Sequence, residues 1–467
     1  MRDETCDVAV IGAGTAGLAA YRAATEEGAR AVLIERGPGG TTCARVGCMP
    51  SKLLIAAAEA AHRAREADLF GIRIGSVSVD GPAVLERVRA ERDRFVGKVL
   101  EGVDRFPEGD RLSGTARFLD SHSLAIGDAV RLRFRAAVVA TGSSPAVPEP
   151  LRGLGDRLLT TDTLFEIPDL PRSLAVLGLG AVGIEIAQAM ARLGVKVTAI
   201  DSGRTIAGLT EPDLLERAVA IFGGEFALLQ DTRVEATRRE GEGVRLSFTG
   251  KDGAGSSLEV ERVLSAAGRP PNVGGLGLET TGVALDGDGM PEFDSRSLVC
   301  RGGPILIAGD ADGWRPVLHE ASRQGGIAGR NAAALAAGRS TEAPEPWPAL
   351  AMVFTHPQAA AIGAPFETGA GDRIVAGADF GNQGRARAEG VNRGGIRLWA
   401  APNGRLLGAE MLGPAVEHLA HIVSGALRDG LTAAALLDRP YYHPTIEEGL
   451  SSVLSEIVQK ITDESRL

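Results

Sequence analysis

Cys6-Asp7-Val8-Ala9-Val10-Ile11-Gly12-Ala13-Gly14-Thr15-Ala16-Gly17 is the stretch whose reading decides the fold. A short β-branched run ends in three glycines, and an alanine-rich helical pattern follows. In a strand, turn and helix of this kind the first glycine makes the tight turn and the second lets the backbone approach a pyrophosphate. The third lets helix and strand pack closely, and the helix N-terminus faces the phosphates. A second strand, Ala31-Val32-Leu33-Ile34, ends at Glu35, whose carboxylate can accept hydrogen bonds from ribose hydroxyls. The same unit recurs: Leu174-Ala175-Val176-Leu177 leads into Gly178, Gly180 and Gly183, a helix, and a strand ending at Asp201. Glu35 lies as far beyond Gly12 as Asp201 lies beyond Gly178, 23 residues in each case. Two fingerprints with one spacing predict two dinucleotide-binding domains, an internal structural repeat. Asp201 would repel a ribose 2′-phosphate, so the second site is expected to prefer NAD to NADP, although Arg204 lies close in sequence.

Beyond the first unit comes Cys43-Ala44-Arg45-Val46-Gly47-Cys48-Met49-Pro50-Ser51-Lys52. A five-residue step turns a regular helix through roughly 500°. The two cysteines therefore point apart unless the turn between them is distorted, which Gly47 and Pro50 permit. One reading is a redox-active disulfide that closes without backbone movement. The other is two reduced, buried thiols serving as small apolar residues, and the spacing leaves both open. Cys6 and Cys300 lie far from the pair in apolar or strand-like surroundings and are expected to be inert.

A chain of 467 residues is long for one core, and 44% hydrophobic residues are ample to fill several. Net charge is −10, with basic residues interleaved among acidic ones as in Glu86-Arg87-Val88-Arg89-Ala90-Glu91-Arg92-Asp93-Arg94, the pattern of a wet helix face. Nucleic acid is not an expected partner. The first strand begins about five residues in, leaving no room for a leader peptide, and no apolar run reaches membrane-span length, so a cytoplasmic enzyme is expected. Ala136 to Pro145 reads as a buried strand broken at Thr141-Gly142 and resembles a domain crossing. Leu264 to Asn272, with Gly268-Arg269-Pro270, has the same form. Pro304 to Asp310 is another strand ending in a carboxylate, suited to a flavin polyol or to a plain helix N-cap. Near the end, His443 precedes Glu448 by five residues across a helix start, so the carboxylate can orient the imidazole and stabilise its protonated form. A surface histidine beside a helix start is the other reading. His418 and His421 share a helix face without a third ligand of matching spacing, so no metal is expected.

In order and content, Gly12/Gly14/Gly17, Glu35, the Cys43 to Lys52 segment, Thr141-Gly142, Gly178/Gly180/Gly183, Gly268-Arg269-Pro270, Gly309-Asp310 and His443-Pro444-Thr445 resemble the flavoprotein disulfide reductases, within them the dihydrolipoamide dehydrogenases. The resemblance spans essentially the whole chain. It implies an α/β protein with two Rossmann-like domains, for FAD (1–147) and NAD (148–273), a central domain completing the FAD site (274–346), and an α+β dimerisation domain (347–467). It implies a homodimer in which each site joins the disulfide of one subunit to the histidine of the other. By resemblance Cys48 faces the flavin, Cys43 exchanges with substrate, His443 takes the substrate thiol's proton, and Glu448 holds His443. Lys52 and Glu185 correspond to an ion pair near the flavin, and the His443–Pro444 peptide is expected to be cis.

Several positions depart from the family pattern. Arg45 stands where asparagine is common, Gly40-Thr41-Thr42 replaces Gly-Gly-Thr, Tyr441 replaces a histidine, and Ala181 replaces a bulkier gate over the nicotinamide pocket. The implied activity is NAD-dependent oxidation of a dihydrolipoyl group on a separate carrier protein. A glutathione-type reductase is disfavoured by Asp201 and by Ser51-Lys52 after Pro50. Mercuric reduction is disfavoured because no cysteine pair lies near Ser465-Arg466-Leu467, and an FAD transhydrogenase would not need both cysteines. The remaining alternative is a non-catalytic docking subunit of a multienzyme complex.

Overall fold

The computed structural model describes residues 2–367, 369 and 373–464. The chain divides into two compact units. The first comprises Met1–Pro50, Arg89–Pro145 and Arg269–Pro346, and the second comprises Ser51–Val88, Ala146–Gly268 and Trp347–Leu467.

The first unit is built on a parallel sheet in the order Ile305–Ile307, Ala136–Val139, Val8–Ile11, Ala31–Glu35, Arg111–Ser113. All four residues of Val8–Ile11 and of Ala136–Val139 are buried, as parallel strands covered on both faces require. The Thr15–Glu26 and Leu318–Ala336 helices pack together through glycine: a Cβ at Gly325 or Gly329 would stand 2.2 Å from the carbonyl oxygens of Ala16 and Ala20. A four-stranded sheet of Arg2–Thr5, Val130–Arg133, Ser123–Ile126 and Ala116–Asp120 completes this unit's strands.

The second unit repeats the design. Its parallel sheet runs Ala227–Leu229, Lys196–Ile200, Ser173–Leu177, Arg262–Ser265, Leu158–Leu159, so each glycine fingerprint follows a strand flanked by the two that complete a βαβ crossover pattern. A three-stranded antiparallel sheet, Arg233–Glu240, Gly243–Thr249 and Gly255–Val260, is attached. The C-terminal part is a five-stranded antiparallel sheet, Leu350–Val353, Gln358–Gly363, Leu406–Gly413, Gly395–Ala400 and Ile374–Asp379. The Val416–Arg428 and Gly449–Glu464 helices share its core, with Leu419, Val423, Val453 and Ile457 fully buried. The fold is therefore mixed α/β with two Rossmann-like sheets and an α+β C-terminal part. The Glu86 to Arg94 charge run lies on the Gly81–Asp104 helix, which buries Leu85 and Val88. Among the described residues, no helix is long and apolar enough to cross a membrane.

Candidate functional site

The two glycine turns are near copies. Gly12 and Gly178 sit at φ +105° and +106°, where a Cβ would stand 2.3 Å from the Ala140 and Ala266 carbonyl oxygens. At Gly17 and Gly183 it would stand 1.8 and 1.9 Å from the carbonyl oxygens of Gly12 and Gly178. The middle glycines differ: nothing lies within 4 Å of a Cβ at Gly14 or Gly180, so open space faces the backbone there. Both are N-caps of twelve-residue helices that have neither a side-chain cap nor an acidic residue in the first turn. The first-turn N–H groups are thus left for an anion, and both turns fit a dinucleotide pyrophosphate.

The acidic partners are held equally alike. Glu35 accepts from Ala13 N at 2.7 Å and Gly37 N at 2.8 Å, and Asp201 accepts from Leu179 N and Gly203 N, each at 2.7 Å. Both carboxylates are fixed beside their fingerprints, where lone pairs remain for ribose hydroxyls. Arg204 pairs with Asp231 at 2.9 Å.

Within the first unit, three sequence-predicted segments meet, those carrying Thr141-Gly142, Arg269 and Asp310. Thr141 donates to the Asn272 carbonyl at 2.7 Å, and Ser143 donates to the Asp310 carboxylate at 2.7 Å. Arg269 donates to the Ser143 carbonyl at 3.0 Å, and Gly142 takes φ +69° with nothing within 4 Å of a Cβ. Asp312 is buried, and burial raises its carboxyl to about 6. Asp312 lies two residues beyond the Gly309-Asp310 pair, and no pattern in the sequence marks it.

Cys43 lies in the short Thr42–Arg45 helix, capped by the Thr41 hydroxyl, and Cys48 opens the Cys48–Arg65 helix. Gly47 turns the chain back: a Cβ there would stand 3.1 Å from the Thr42 carbonyl oxygen and 3.4 Å from Cys43 Cα. Cys43 is half-buried and Cys48 exposed, whereas burial drives the Cys6 and Cys300 thiols up to about 12, which keeps them protonated. Arg45 is half-buried and donates to the Gly39 carbonyl at 3.3 Å.

In the second unit, Lys52 Nζ contacts both oxygens of Glu185, at 3.0 and 2.7 Å, and sits 4.7 Å from the centroid of the Phe354 ring. Phe354 N also donates to Glu185, at 2.8 Å. Near the C-terminus, His443 Nδ1 lies 2.9 Å from Glu448 Oε1, while Thr445 N donates to Oε2. The hydrogen bond from His443 holds the Glu448 carboxyl below the usual carboxylate range. The His443 side chain is 81% exposed, and the Tyr441 hydroxyl donates to the Leu436 carbonyl. The His443–Pro444 and His356–Pro357 peptides are both cis.

Residues 6–325 match the family described as pyridine nucleotide-disulphide oxidoreductase, and residues 350–453 match its dimerisation domain. A mercuric reductase from Acidithiobacillus ferrooxidans is 34% identical, over 95% of this chain and 81% of that protein. A dihydrolipoyl dehydrogenase from Chlamydia muridarum is 30% identical, over 96% of this chain and 95% of that protein. The Cu(II) complex of the HOCl-induced flavoprotein disulfide reductase RclA from Escherichia coli shares the fold at a TM-score of 0.82 and 23% identity, over 97% of this chain and 99% of that one.

Proposed function

Because the chain belongs to the pyridine nucleotide-disulphide oxidoreductases, a family of FAD- and NAD(P)-dependent flavoproteins, we propose that it is a dihydrolipoyl dehydrogenase. In this reading it oxidises a dihydrolipoyl group through a Cys43–Cys48 disulfide, with NAD as the final acceptor. The observation that carries it is the cysteine turn, in which Gly47, the residue before the Cys48–Arg65 helix, lies so close to the Thr42 carbonyl and Cys43 Cα that a Cβ there would stand 3.1 and 3.4 Å from them. Bound FAD supplies a two-electron relay between a dithiol and a nicotinamide.

The chain's own residues account for the remaining steps. The Gly14 and Gly180 helix starts hold the FAD and NAD pyrophosphates, Glu35 and Asp201 their riboses, and Thr141-Gly142, Gly268, Arg269 and Asp310 line the flavin side. The partner subunit's His443, its charge balanced by Glu448, takes the proton from a substrate thiol. The resulting thiolate bonds to Cys43 sulfur as the Cys43–Cys48 bond breaks and Cys48 leaves as thiolate. The second substrate thiol then attacks the substrate sulfur of the mixed disulfide, its proton passing to the departing Cys43 sulfur, which closes the cyclic disulfide and releases Cys43 as a thiol. The substrate loses two electrons and the cysteine pair gains them. Lys52, aimed by Glu185, stabilises negative charge on the reduced relay. The enzyme acts as a homodimer on a lipoylated carrier.

A second reading, mercuric ion reduction, is favoured by the 34% identity to a mercuric reductase. The dehydrogenase reading is placed first on the 30% identity to a dihydrolipoyl dehydrogenase over 96% of this chain and 95% of that protein. The deciding experiment is the initial rate of NAD reduction by dihydrolipoamide, with NADP in parallel and Cys43→Ser as control. Turnover with NAD that disappears in the variant supports the dehydrogenase. No turnover, alongside Hg(II)-dependent oxidation of reduced nicotinamide, moves the assignment to the mercuric reading.

A further inference from the structure

Seven residues beyond Lys52 on the Cys48–Arg65 helix stands Glu59, and seven residues beyond Glu185 on the Ala181–Arg192 helix stands Arg192. Arg192 is 7% exposed, and its Nη1 donates to Glu59 at 2.7 Å. Its other donors grip Glu225 in a fork at 2.7 and 2.8 Å and the His356 carbonyl at 2.9 Å. Buried Gln188, between the two anchors, donates to Glu225 and to the His356 carbonyl and accepts from His356 N. Burial raises the Glu59 carboxyl, but His356, Arg63 and Arg192 outweigh that and hold it below its usual range.

The two helices are therefore joined by two ion pairs at equal spacing, Lys52–Glu185 and Glu59–Arg192, two turns apart on each. One anchor fixes a point, about which a helix can still pivot and slide. Two anchors fix its register. The first uses a flexible lysine that is 34% exposed, and the second uses an arginine whose planar fork leaves little freedom. Arg65 Nη1 also donates to the Arg192 carbonyl at 2.5 Å, and Leu54 and Ala58 share a core with Ile186 and Met190, so removing the second pair would leave Lys52 tied to Glu185 and loosen the helix that carries it without detaching it.

Resting on the flavin–disulfide reading, we propose that Arg192, acting through Glu59, is a positioning residue that sets where the Lys52 ammonium stands relative to the flavin and thereby sets the flavin's reduction potential. Glu225 grips Arg192 through both of its oxygens, and its influence on the Cys48–Arg65 helix is a charge effect on His62, beyond Glu59 and away from Lys52, so it supplies the control.

The test compares Glu59→Gln, Arg192→Lys and Glu225→Gln in the flavin-loaded protein and in flavin-free protein. In loaded protein the flavin potential is read against a reference dye, so the substrate's identity does not enter. In flavin-free protein, hydrogen exchange is followed over residues 49–56. Glu59→Gln is expected to shift the reduced-to-oxidised flavin ratio about tenfold toward oxidised, equivalent to about 30 mV for a two-electron couple. It also speeds exchange over residues 49–56. Arg192→Lys shifts both in the same direction by less, and remains measurable should Glu59→Gln fail to fold. Glu225→Gln leaves both at wild-type values. Wild-type potential in Glu59→Gln and Arg192→Lys, or an equal shift in Glu225→Gln, overturns the proposal. If dihydrolipoamide proves not to be the substrate while the potential moves as stated, the function fails and this inference stands.

Discussion

At the residue scale, the carboxylates divide by what surrounds them. Glu35 and Asp201 are each met by two backbone N–H donors and stay available at the ends of their strands. Asp312 is buried, and burial carries its carboxyl from 3.8 to about 6. A carboxyl raised on folding favours the folded state most when protonated. Its contribution is full below the unfolded value and is lost as pH rises through the folded one. Asp312→Asn should remove that loss, so flavin-free variant gains up to about 3 kcal/mol over wild type at pH 7.5 and little at pH 4. Urea unfolding at both pH values measures it, and equal gains at the two would contradict the account. Glu35 and Asp201 were legible in sequence because they stand at a fixed distance from their glycines. Asp312 was not, because its shift comes from what the fold packs around it.

At the scale of the element, the glycine turns separate two jobs that sequence alone assigns together. Gly183 is needed by the protein, since its Cβ would overlap the Gly178 carbonyl, whereas Gly180 faces open space. Gly183→Ala should therefore cost about 3 kcal/mol of stability. Gly180→Ala should fold normally and weaken NADH binding roughly tenfold, because only the nucleotide comes that close. Thermal unfolding paired with NADH titration distinguishes the two; equal stability losses would show that Gly180 serves packing as well. The helices and their fingerprints could be read from pattern. The Gly325 and Gly329 packing contact could not, because its partner helix lies some 300 residues earlier in the chain. Glu59 and Arg192 did leave a signal, the repeat of seven beyond Lys52 and Glu185, but charged residues on amphipathic helices ordinarily face water, and only the fold shows Arg192 buried and Glu59 half-buried against it.

At the scale of the whole molecule, the C-terminal part carries the family's dimerisation domain, and the single chain leaves His443 turned to solvent beside an 82% exposed Tyr442. If Cys43 works with the partner subunit's His443, two inactive variants should rescue each other. Cys43→Ser and His443→Ala subunits, mixed equally and allowed to exchange, form heterodimers with one intact site of two, so activity should return to roughly one quarter of wild type. A mixture as inactive as its components would place both groups in one chain's site. The mixed α/β class and the repeated nucleotide domain were legible because both rest on local pattern. The pairing of subunits rests on surfaces that local pattern does not describe.

The central claim is that Cys43 and Cys48 form a redox couple in series with the flavin, and anaerobic reductive titration tests it most directly. A disulfide and a flavin each take up two electrons, so wild-type protein should consume four per subunit before the flavin is fully bleached, and Cys43→Ser should consume two. Two electrons in both proteins would contradict the account and leave a flavoprotein whose cysteines take no part in the chemistry.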